Sequence, residues 1–218
     1  MRRYDCTDAE VRPDGIVAAA DAARRGDLVV LPTDTVYGVG ADAFSPNAVR
    51  RLLDAKGRGR DVPVPVLVGA WRTVNGLVDD LPDAAKDLIA AFWPGPLTLV
   101  LRQGAGLSWD LGDTKGTVAV RMPLHDVALD LLAETGPLAV SSANRHGEPP
   151  PVTVAEAEAQ LGDAVAVYLD GGPAEEGTPS TIVDLTAARP RVLRAGALSL
   201  ERLREVVPAI EQRGEAGP

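Results

Sequence analysis

The chain has 218 residues, 45% hydrophobic and 24% charged, so it can bury the core of a globular domain and is not dominated by disorder. Its formal net charge of −9 disfavours a protein that coats nucleic acid, because such affinity comes mainly from neutralised phosphates. The apolar runs are only as long as strands, which argues against a membrane span, and the N-terminus has no apolar leader, which argues against a secretory signal. The lone cysteine, Cys6, excludes an internal disulfide framework. Together these features predict a cytoplasmic protein.

Helix and strand patterns alternate along the chain. Apolar residues spaced three and four apart predict helices over 12–25, 46–56, 82–93, 127–134, 153–161 and 199–212. Short apolar runs predict strands over 28–31, 64–68, 97–101, 117–121, 138–140, 165–169, 181–185 and 191–193. Because two prolines, Pro63 and Pro65, lie at its start, the strand at 64–68 is expected at a sheet edge or at a strand start. The alternation predicts one α/β domain, 1–218, with a core over about 12–200, a mixed sheet and a frayed tail at 213–218.

The common catalytic signatures are absent from the sequence. It has no GxxxxGK[ST] phosphate loop, no HExxH motif and no GxSxG elbow, and its only histidines are His125 and His146. A histidine-based triad or a His/Cys metal site is therefore not expected. Nucleotide chemistry would have to use arginine, lysine, hydroxyl groups and backbone amides.

Four polar segments stand where an α/β fold places its loops and strand ends: 32–40, 56–61, 141–144, and the pair formed by 117–123 with 180–194. Each also has a purely structural interpretation. A hydrogen-bonded turn accounts for 32–40 and 141–144, and cations at a helix C-terminus account for 56–61. Arg121 and Arg194 each end a short strand, where arginine needs either a structural carboxylate or an anionic substrate.

Taken in order, the segments resemble the YrdC/TsaC family of threonylcarbamoyl-AMP synthases. The resemblance covers roughly 12–200 and rests on LPTDTVYGVGADAF (31–44), KGR (56–58), FWPGPLTLVL (92–101), TVAVRMP (117–123), SSAN (141–144), STIVDL (180–185) and VLRAG (192–196). Each match alone is weak, and the ordered set is specific. The resemblance implies a twisted mixed sheet flanked by helices around a concave cleft.

The resemblance also implies a reaction. L-threonine, bicarbonate or CO2, and ATP would give threonylcarbamoyl-AMP and pyrophosphate, with Mg2+ carried on the ATP phosphates and no metal ligand from the protein. A downstream tRNA threonylcarbamoyl transferase complex would use the product. Direct tRNA binding by this chain is expected to be weak or absent, and no membrane is involved.

The family's site residues map onto this chain position by position. Lys56 and Arg58 would be catalytic, neutralising the triphosphate and the leaving pyrophosphate. The implied ATP-binding residues are Arg58, Thr117, Ser142, Asn144 and Arg194. The implied L-threonine-binding residues are Thr35, Tyr37, Arg121, Val140 and Ser180, with Arg121 pairing with the α-carboxylate.

The chain departs from the pattern of many relatives at several positions. Gly59 stands where they have proline, Val62 replaces a lysine, and Arg60 is the expected substitute for that lysine's phosphate contact. Leu67 falls where a histidine would meet threonine, and Pro150 falls where a serine would meet ATP.

Two alternatives to the synthase stay open on the sequence. One is an RNA-binding or ribosome-maturation module with the same fold, which the net charge and the 4% aromatic content disfavour. The other is a paralogue with different carbamoyl or acyl chemistry. Lys56, Arg58, Ser142 and Asn144 favour the synthase over that paralogue.

Overall fold

The computed structural model describes residues 1–175 and 177–212, so the predicted tail at 213–218 lies outside the described residues. The elements alternate as the sequence predicts. The helices are α1 (Arg12–Arg24), α2 (Pro46–Lys56), α3 (Asp83–Phe92), α4 (Asp126–Thr135), α5 (Val154–Leu161) and α6 (Leu200–Val206). The strands are β1 (Arg2–Asp5), β2 (Leu28–Leu31), β3 (Gly38–Asp42), β4 (Val66–Leu67), β5 (Leu97–Arg102), β6 (Thr117–Arg121), β7 (Leu138–Ser142), β8 (Val165–Asp170), β9 (Thr181–Asp184) and β10 (Arg191–Arg194).

The described strands form one mixed sheet of ten strands in the order β1-β8-β2-β3-β7-β4-β6-β5-β9-β10. Parallel pairs join β1 and β2 to β8, β4 to β6, and β5 to β9, whereas the other neighbours are antiparallel. The predicted α/β class with a mixed sheet is therefore confirmed. That 1–218 forms a single domain stays a prediction.

Side-chain alternation gives the sheet two different faces. In β2, Leu28 and Val30 belong to the larger core cluster, whereas Val29 and Leu31 pack in a second cluster with α1 and α4. In β5, Leu97 and Leu99 point into the larger core, and Thr98 lies on the opposite face, where it lines a cavity. Because neighbouring residues of a strand face opposite sides, the strands that build the core also supply the cavity floor.

Local signals explain why α2 begins and ends where the sequence predicts. Ser45 caps it by accepting a hydrogen bond from the Ala48 amide, and Pro46 occupies the first turn. Gly57 ends it in a left-handed conformation with φ of +62°. This helix end delivers Lys56 and the loop after it to the middle of the sheet.

Two predictions about elements need correction, and strand β1 was missed. The strand predicted at 64–68 spans only Val66–Leu67, and it lies inside the sheet between β7 and β6, not at an edge; the strand-start interpretation holds, because β4 begins directly after Pro65. The predicted helix 199–212 stops at Val206, since Pro208 disfavours helical backbone before it. Strand β1 was not predicted, because its exposed, charged residues carry no apolar pattern.

Candidate active site

A cavity of about 640 Å3 opens on the face of the sheet opposite the larger core. Its floor is apolar, and its polar wall comes from loops and strand ends. The floor includes Leu67, Val100, Ala119, Val140 and Ile182. The predicted site residues that line it are Thr35, Tyr37, Arg58, Arg121, Val140, Ser142, Asn144, Ser180 and Arg194.

Arginines from three separate segments, Arg58, Arg121 and Arg194, converge on this cavity. Burial lowers the pKa of each guanidinium, and the charges of Arg121 and Arg58 lower the pKa of Arg194 further. Asp61 opposes the effect at Arg58, and Asp34 opposes it at Arg121. Like charges held together in a half-buried site favour an anionic ligand, although the whole chain is acidic.

Arg121 is fixed from three sides. Its Nε donates to the Gly95 carbonyl at 2.9 Å, its Nη1 to Thr35 Oγ1 at 2.9 Å and its Nη2 to Asp34 Oδ1 at 2.5 Å. A guanidinium has five N–H donors, so two remain for a ligand. Arg121 therefore has the structural carboxylate that the sequence offered as one alternative, and because it also lines the cavity, an anionic substrate stays a prediction.

The turn between β2 and β3 is built by threonine hydroxyls. Thr33 Oγ1 donates to the Val36 carbonyl at 2.6 Å and accepts from the amides of Thr35 and Val36. This turn brings Thr35 Oγ1 against Arg121 and lets the chain continue into β3. The hydrogen-bonded turn that the sequence offered for 32–40 is therefore present, and the functional role of this segment stays a prediction.

Arg194 is held by the backbone at the start of β9. Its Nε and Nη2 both donate to the Ser180 carbonyl, at 3.0 and 2.7 Å. Ser180 Oγ lies 3.0 Å from Nη2 and 2.8 Å from Thr98 Oγ1. Within the described residues, no hydrogen bond uses Nη1 of Arg194, so that group is available to a ligand.

Arg58 and Asn144 leave two buried polar atoms unpaired at the cavity. Arg58 Nη1 donates to Ser141 Oγ at 3.0 Å and Nη2 donates to the Pro63 carbonyl at 3.1 Å, while Nε has no partner among the described residues. Asn144 Nδ2 donates to the carbonyls of Arg145 and Glu148, and its Oδ1 is likewise unpaired there. Unsatisfied buried groups are rare in folded proteins, and these two belong to residues that line the cavity.

Comparisons with known proteins identify the family. A Sua5/YciO/YrdC family model, described as telomere recombination, matches residues 21–196. A Mycobacterium tuberculosis protein provisionally named a threonylcarbamoyl-AMP synthase is 62% identical over 204 residues, covering 94% of both chains. The chain belongs to the Sua5/YciO/YrdC family. The resemblance seen in the sequence is thereby confirmed.

Two further members of the family are informative. A Vibrio cholerae threonylcarbamoyl-AMP synthase is 36% identical over 187 residues, covering 84% of this chain and 98% of the relative. The solved structure of Pyrococcus abyssi Sua5 complexed with L-threonine is 38% identical and superposes with a TM-score of 0.88, covering 93% of this chain. This chain spans 61% of that longer protein.

Two of the predicted site residues, Lys56 and Thr117, do not line the cavity. Thr117 stands at the start of β6 and donates its hydroxyl to the Thr114 carbonyl at 2.7 Å. Lys56 is 3% exposed and donates from Nζ to the carbonyls of Ser142 and Asn144, at 2.5 and 2.6 Å. The lysine thus supports the 142–144 segment from behind and is not aimed at the open space.

The pH dependence of activity can distinguish a supporting role of Lys56 from direct charge neutralisation. Burial, with repulsion from Arg58, lowers its pKa to about 8, so it is charged below that pH and neutral above it. A neutral amine still has two N–H groups for the two carbonyls, whereas it no longer neutralises phosphate. If Lys56 acts by supporting the segment, the activity ratio of wild type to Lys56→Met stays constant from pH 7 to pH 9. A ratio that collapses toward one above pH 8 would favour direct charge neutralisation.

Tyr37 lines the cavity, but its hydroxyl is used elsewhere. It donates to the Gly172 carbonyl at 2.6 Å and accepts from the Gly171 amide at 3.1 Å. Burial raises the pKa of this hydroxyl. Val140 also reaches the cavity, while its amide donates to the Pro65 carbonyl at 2.8 Å. Both residues therefore shape the wall and do not offer these groups to a ligand.

Removing that hydroxyl separates a structural role of Tyr37 from a binding role. Tyr37→Phe is expected to lower the free energy of unfolding by about 1–2 kcal/mol, because two partly buried backbone groups lose their partner. The KM for threonine should stay within about twofold of wild type. Denaturant unfolding and steady-state kinetics measure the two quantities. An unchanged stability with a tenfold higher KM would contradict the assignment.

The departures from the family pattern have definite places. Val62, Leu67 and Pro150 line the cavity, so each changes its surface directly. Arg60 is not in the lining, and its Nη1 and Nη2 donate to the Asp110 carboxylate at 2.9 and 2.7 Å. Arg60 was expected to take over the phosphate contact of the missing lysine. This geometry disfavours that role, because the Arg60 guanidinium is bound to Asp110.

Several residues that hold the implied site residues in place lie in segments singled out by the sequence, although they were not among the implied site residues themselves. Ser141, adjacent to the predicted Ser142, is the hydroxyl that holds Arg58. Asp34 fixes Arg121, and Thr98 contacts Ser180 from the neighbouring strand. Gly38 lies so close to Val140 that a Cβ would come within 2.6 Å of the valine side chain. The glycine spacing in 38–40 was the only sequence signal for such a close approach.

A resident metal site does not fit the residues present. Within residues 1–175 and 177–212, no group of three or more His, Cys, Asp or Glu side chains could hold a metal ion. The charged side chains that line the cavity are arginines, which repel a cation.

Among the described helices, none is both long and apolar enough to cross a membrane.

Proposed function

We propose that this chain synthesises threonylcarbamoyl-AMP from L-threonine, bicarbonate or CO2, and ATP, and releases pyrophosphate. The observation that carries the proposal is the convergence of Arg58, Arg121 and Arg194, each with N–H groups to spare, on one cavity. Relatives named threonylcarbamoyl-AMP synthase, and a relative solved with L-threonine, support the assignment of this cavity to that reaction.

The threonine subsite is proposed around Arg121. Its two remaining N–H donors suit the two oxygens of an α-carboxylate, which arginine recognises in a forked arrangement. Thr35 Oγ1 and Ser180 Oγ lie on the same cavity and offer hydroxyl groups to the amino acid. Leu67 and Val140 supply an apolar surface for its side chain.

The ATP subsite is proposed around Arg58 and Arg194. Phosphate oxygens can contact Nη1 of Arg194 and the N–H groups of Arg58 that Ser141 and Pro63 do not use. Asn144 lines the same cavity. Ser142 lies on the same wall, which Lys56 supports from behind. Mg2+ would arrive on the ATP phosphates, and none of the steps below depends on a metal site in the protein.

The chemistry suits a site that positions and neutralises charge. Carboxylation of the threonine amine by bicarbonate gives a carbamate and water. A carbamate oxygen then attacks the α-phosphorus, and the bond to the β-phosphate breaks, so that pyrophosphate leaves with the electron pair. The carbamate already carries its negative charge, so no strong base is required. Guanidinium groups beside the leaving phosphates lower the barrier, by about 3–4 kcal/mol for one well-placed group.

The product is an activated carbamoyl-adenylate, which a downstream tRNA threonylcarbamoyl transferase complex would consume in the cytoplasm. The net charge of −9 supports weak or absent direct tRNA binding by this chain.

Pyrophosphate release from ATP tests the proposal, with threonine and bicarbonate each present or omitted. The proposed function requires release only when both are present. Release that ignores threonine would indicate a paralogue with another acceptor. No release, together with RNA binding at physiological salt, would support the binding-module alternative.

A further inference from the structure

The 57–63 loop, which carries Arg58 into the cavity, has little rigidity of its own. Arg58 stands between Gly57 and Gly59, and glycine restricts the backbone less than any other residue. The arginine side chain bonds to Ser141 Oγ and to the Pro63 carbonyl, and the second partner belongs to the loop itself. The direction of this guanidinium therefore depends on what holds the far half of the loop.

A second segment, the 109–113 strap between β5 and β6, pairs with that far half through its backbone. The Asp113 amide donates to the Arg60 carbonyl at 2.8 Å, and the Val64 amide donates to the Leu111 carbonyl at 2.9 Å. Gly112 has a φ of +101°, and a Cβ there would lie 2.8 Å from the Arg60 carbonyl oxygen. Only glycine fits this approach without a shift of the backbone.

Side chains strengthen the same connection. Arg60 forms a bidentate pair with the Asp110 carboxylate, with both N–O distances under 3 Å, and its Nε lies 3.7 Å from Asp113 Oδ1. Leu111 is buried in the larger core, and Trp109 stacks on Phe44 with ring centroids 5.5 Å apart. The strap is thus anchored in the core on one side and holds the loop on the other.

We infer that the 109–113 strap positions the catalytic loop, with Asp110 and Gly112 setting the backbone from which Arg58 reaches the triphosphate. The inference rests on the proposed function, because it assigns Arg58 to ATP. Asp110 and Arg60 are absent from the cavity lining, so they act through Arg58 and are positioning residues. A role of this kind changes ATP affinity and the chemical step together, because Arg58 serves both, while leaving the threonine requirement nearly intact.

The test uses calorimetric Kd values for ATP, with kcat and both KM values, for a charge-reversal series. Arg60→Asp places like charges beside Asp110 and is expected to raise the Kd for ATP at least tenfold. Asp110→Asn should raise it about three- to fivefold, as suits an exposed bidentate pair. The double variant Arg60→Asp with Asp110→Arg should return to within about twofold of wild type. In all of them the KM for threonine should stay within about twofold. The value of kcat, which also depends on the Arg58 guanidinium, should fall in Arg60→Asp and recover in the double variant.

Gly112→Ala and a remote control complete the series. Gly112→Ala should raise the Kd for ATP and speed hydrogen exchange at the Val64 and Asp113 amides. Asp83→Asn breaks an exposed pair with Lys86 of similar length, 2.8 Å, and should change nothing. Unchanged Kd values in the Asp110 and Arg60 variants, or a charge reversal that fails to rescue, would overturn the inference. If wild type binds ATP but releases no pyrophosphate, the proposed function fails. The Kd values for ATP in the same variants would still show whether the 109–113 strap positions Arg58.

Discussion

Arg58→Ala is expected to lower kcat for pyrophosphate release about 100-fold or more while the protein stays folded. Its guanidinium is the charged group of the 57–63 loop that lines the cavity, and the N–H groups that Ser141 and Pro63 do not use remain for phosphate. Loss of one preorganised charge at a developing pyrophosphate costs about 3–4 kcal/mol of barrier. Steady-state release with saturating ATP and threonine measures the effect.

A matched control separates this effect from the general loss of an arginine. Arg72 is exposed and lies over the Trp71 ring, so Arg72→Ala removes the same side chain away from the cavity. Its kcat should match wild type. If Arg58→Ala is folded and also turns over at nearly the wild-type rate, the charge-neutralising role is wrong.

Arg121→Ala is expected to act most strongly on threonine, lowering kcat/KM for the amino acid about 100-fold or more. Two guanidinium donors that suit the α-carboxylate are lost with the side chain. The change also leaves Asp34, 6% exposed, without its cation, which should lower the free energy of unfolding by about 3–5 kcal/mol. Kinetics with threonine as the varied substrate and denaturant unfolding measure the two effects separately.

A double variant keeps this prediction testable if Arg121→Ala fails to fold. Asp34→Asn removes the stranded charge, and the asparagine Oδ1 can still accept from the Leu124 amide, as the aspartate does at 3.0 Å. Asp34→Asn with Arg121→Gln should recover stability but not threonine affinity. An increase confined to the KM for ATP would mean that the two subsites are assigned the wrong way round.

Local signals made much of the fold predictable. Helix α2 is found with the predicted bounds, because a serine cap, a proline in its first turn and a terminal glycine are all encoded within a few residues. The capping box of α5, with Thr153 and Glu156, was visible for the same reason. Strand β1 was not predictable in this way, since its pairing depends on β8, more than a hundred residues later in the chain.

The candidate site was also predictable where local signals encode it, and not where it depends on contacts between distant segments. Strand ends and glycine-rich loops indicated where polar groups gather, and most of the implied residues do line one cavity. Which atom each residue meets depends on segments far apart in sequence. Lys56 resembles a phosphate ligand in the sequence, yet its Nζ is bound by two carbonyls more than 80 residues away. Arg60 was expected to replace a lost lysine, but Asp110, 50 residues later, occupies it.

Mass spectrometry of the reaction product, with 13C-labelled bicarbonate, tests the central claim most directly. Wild-type protein supplied with ATP, threonine and the label should form an adenylate containing one threonine and one labelled carbon, with one pyrophosphate released for each. Arg58→Ala and Arg121→Ala should form far less of it. An adenylate that lacks the labelled carbon, or no adenylate with all three substrates present, would contradict the assignment of this cavity to threonylcarbamoyl-AMP synthesis.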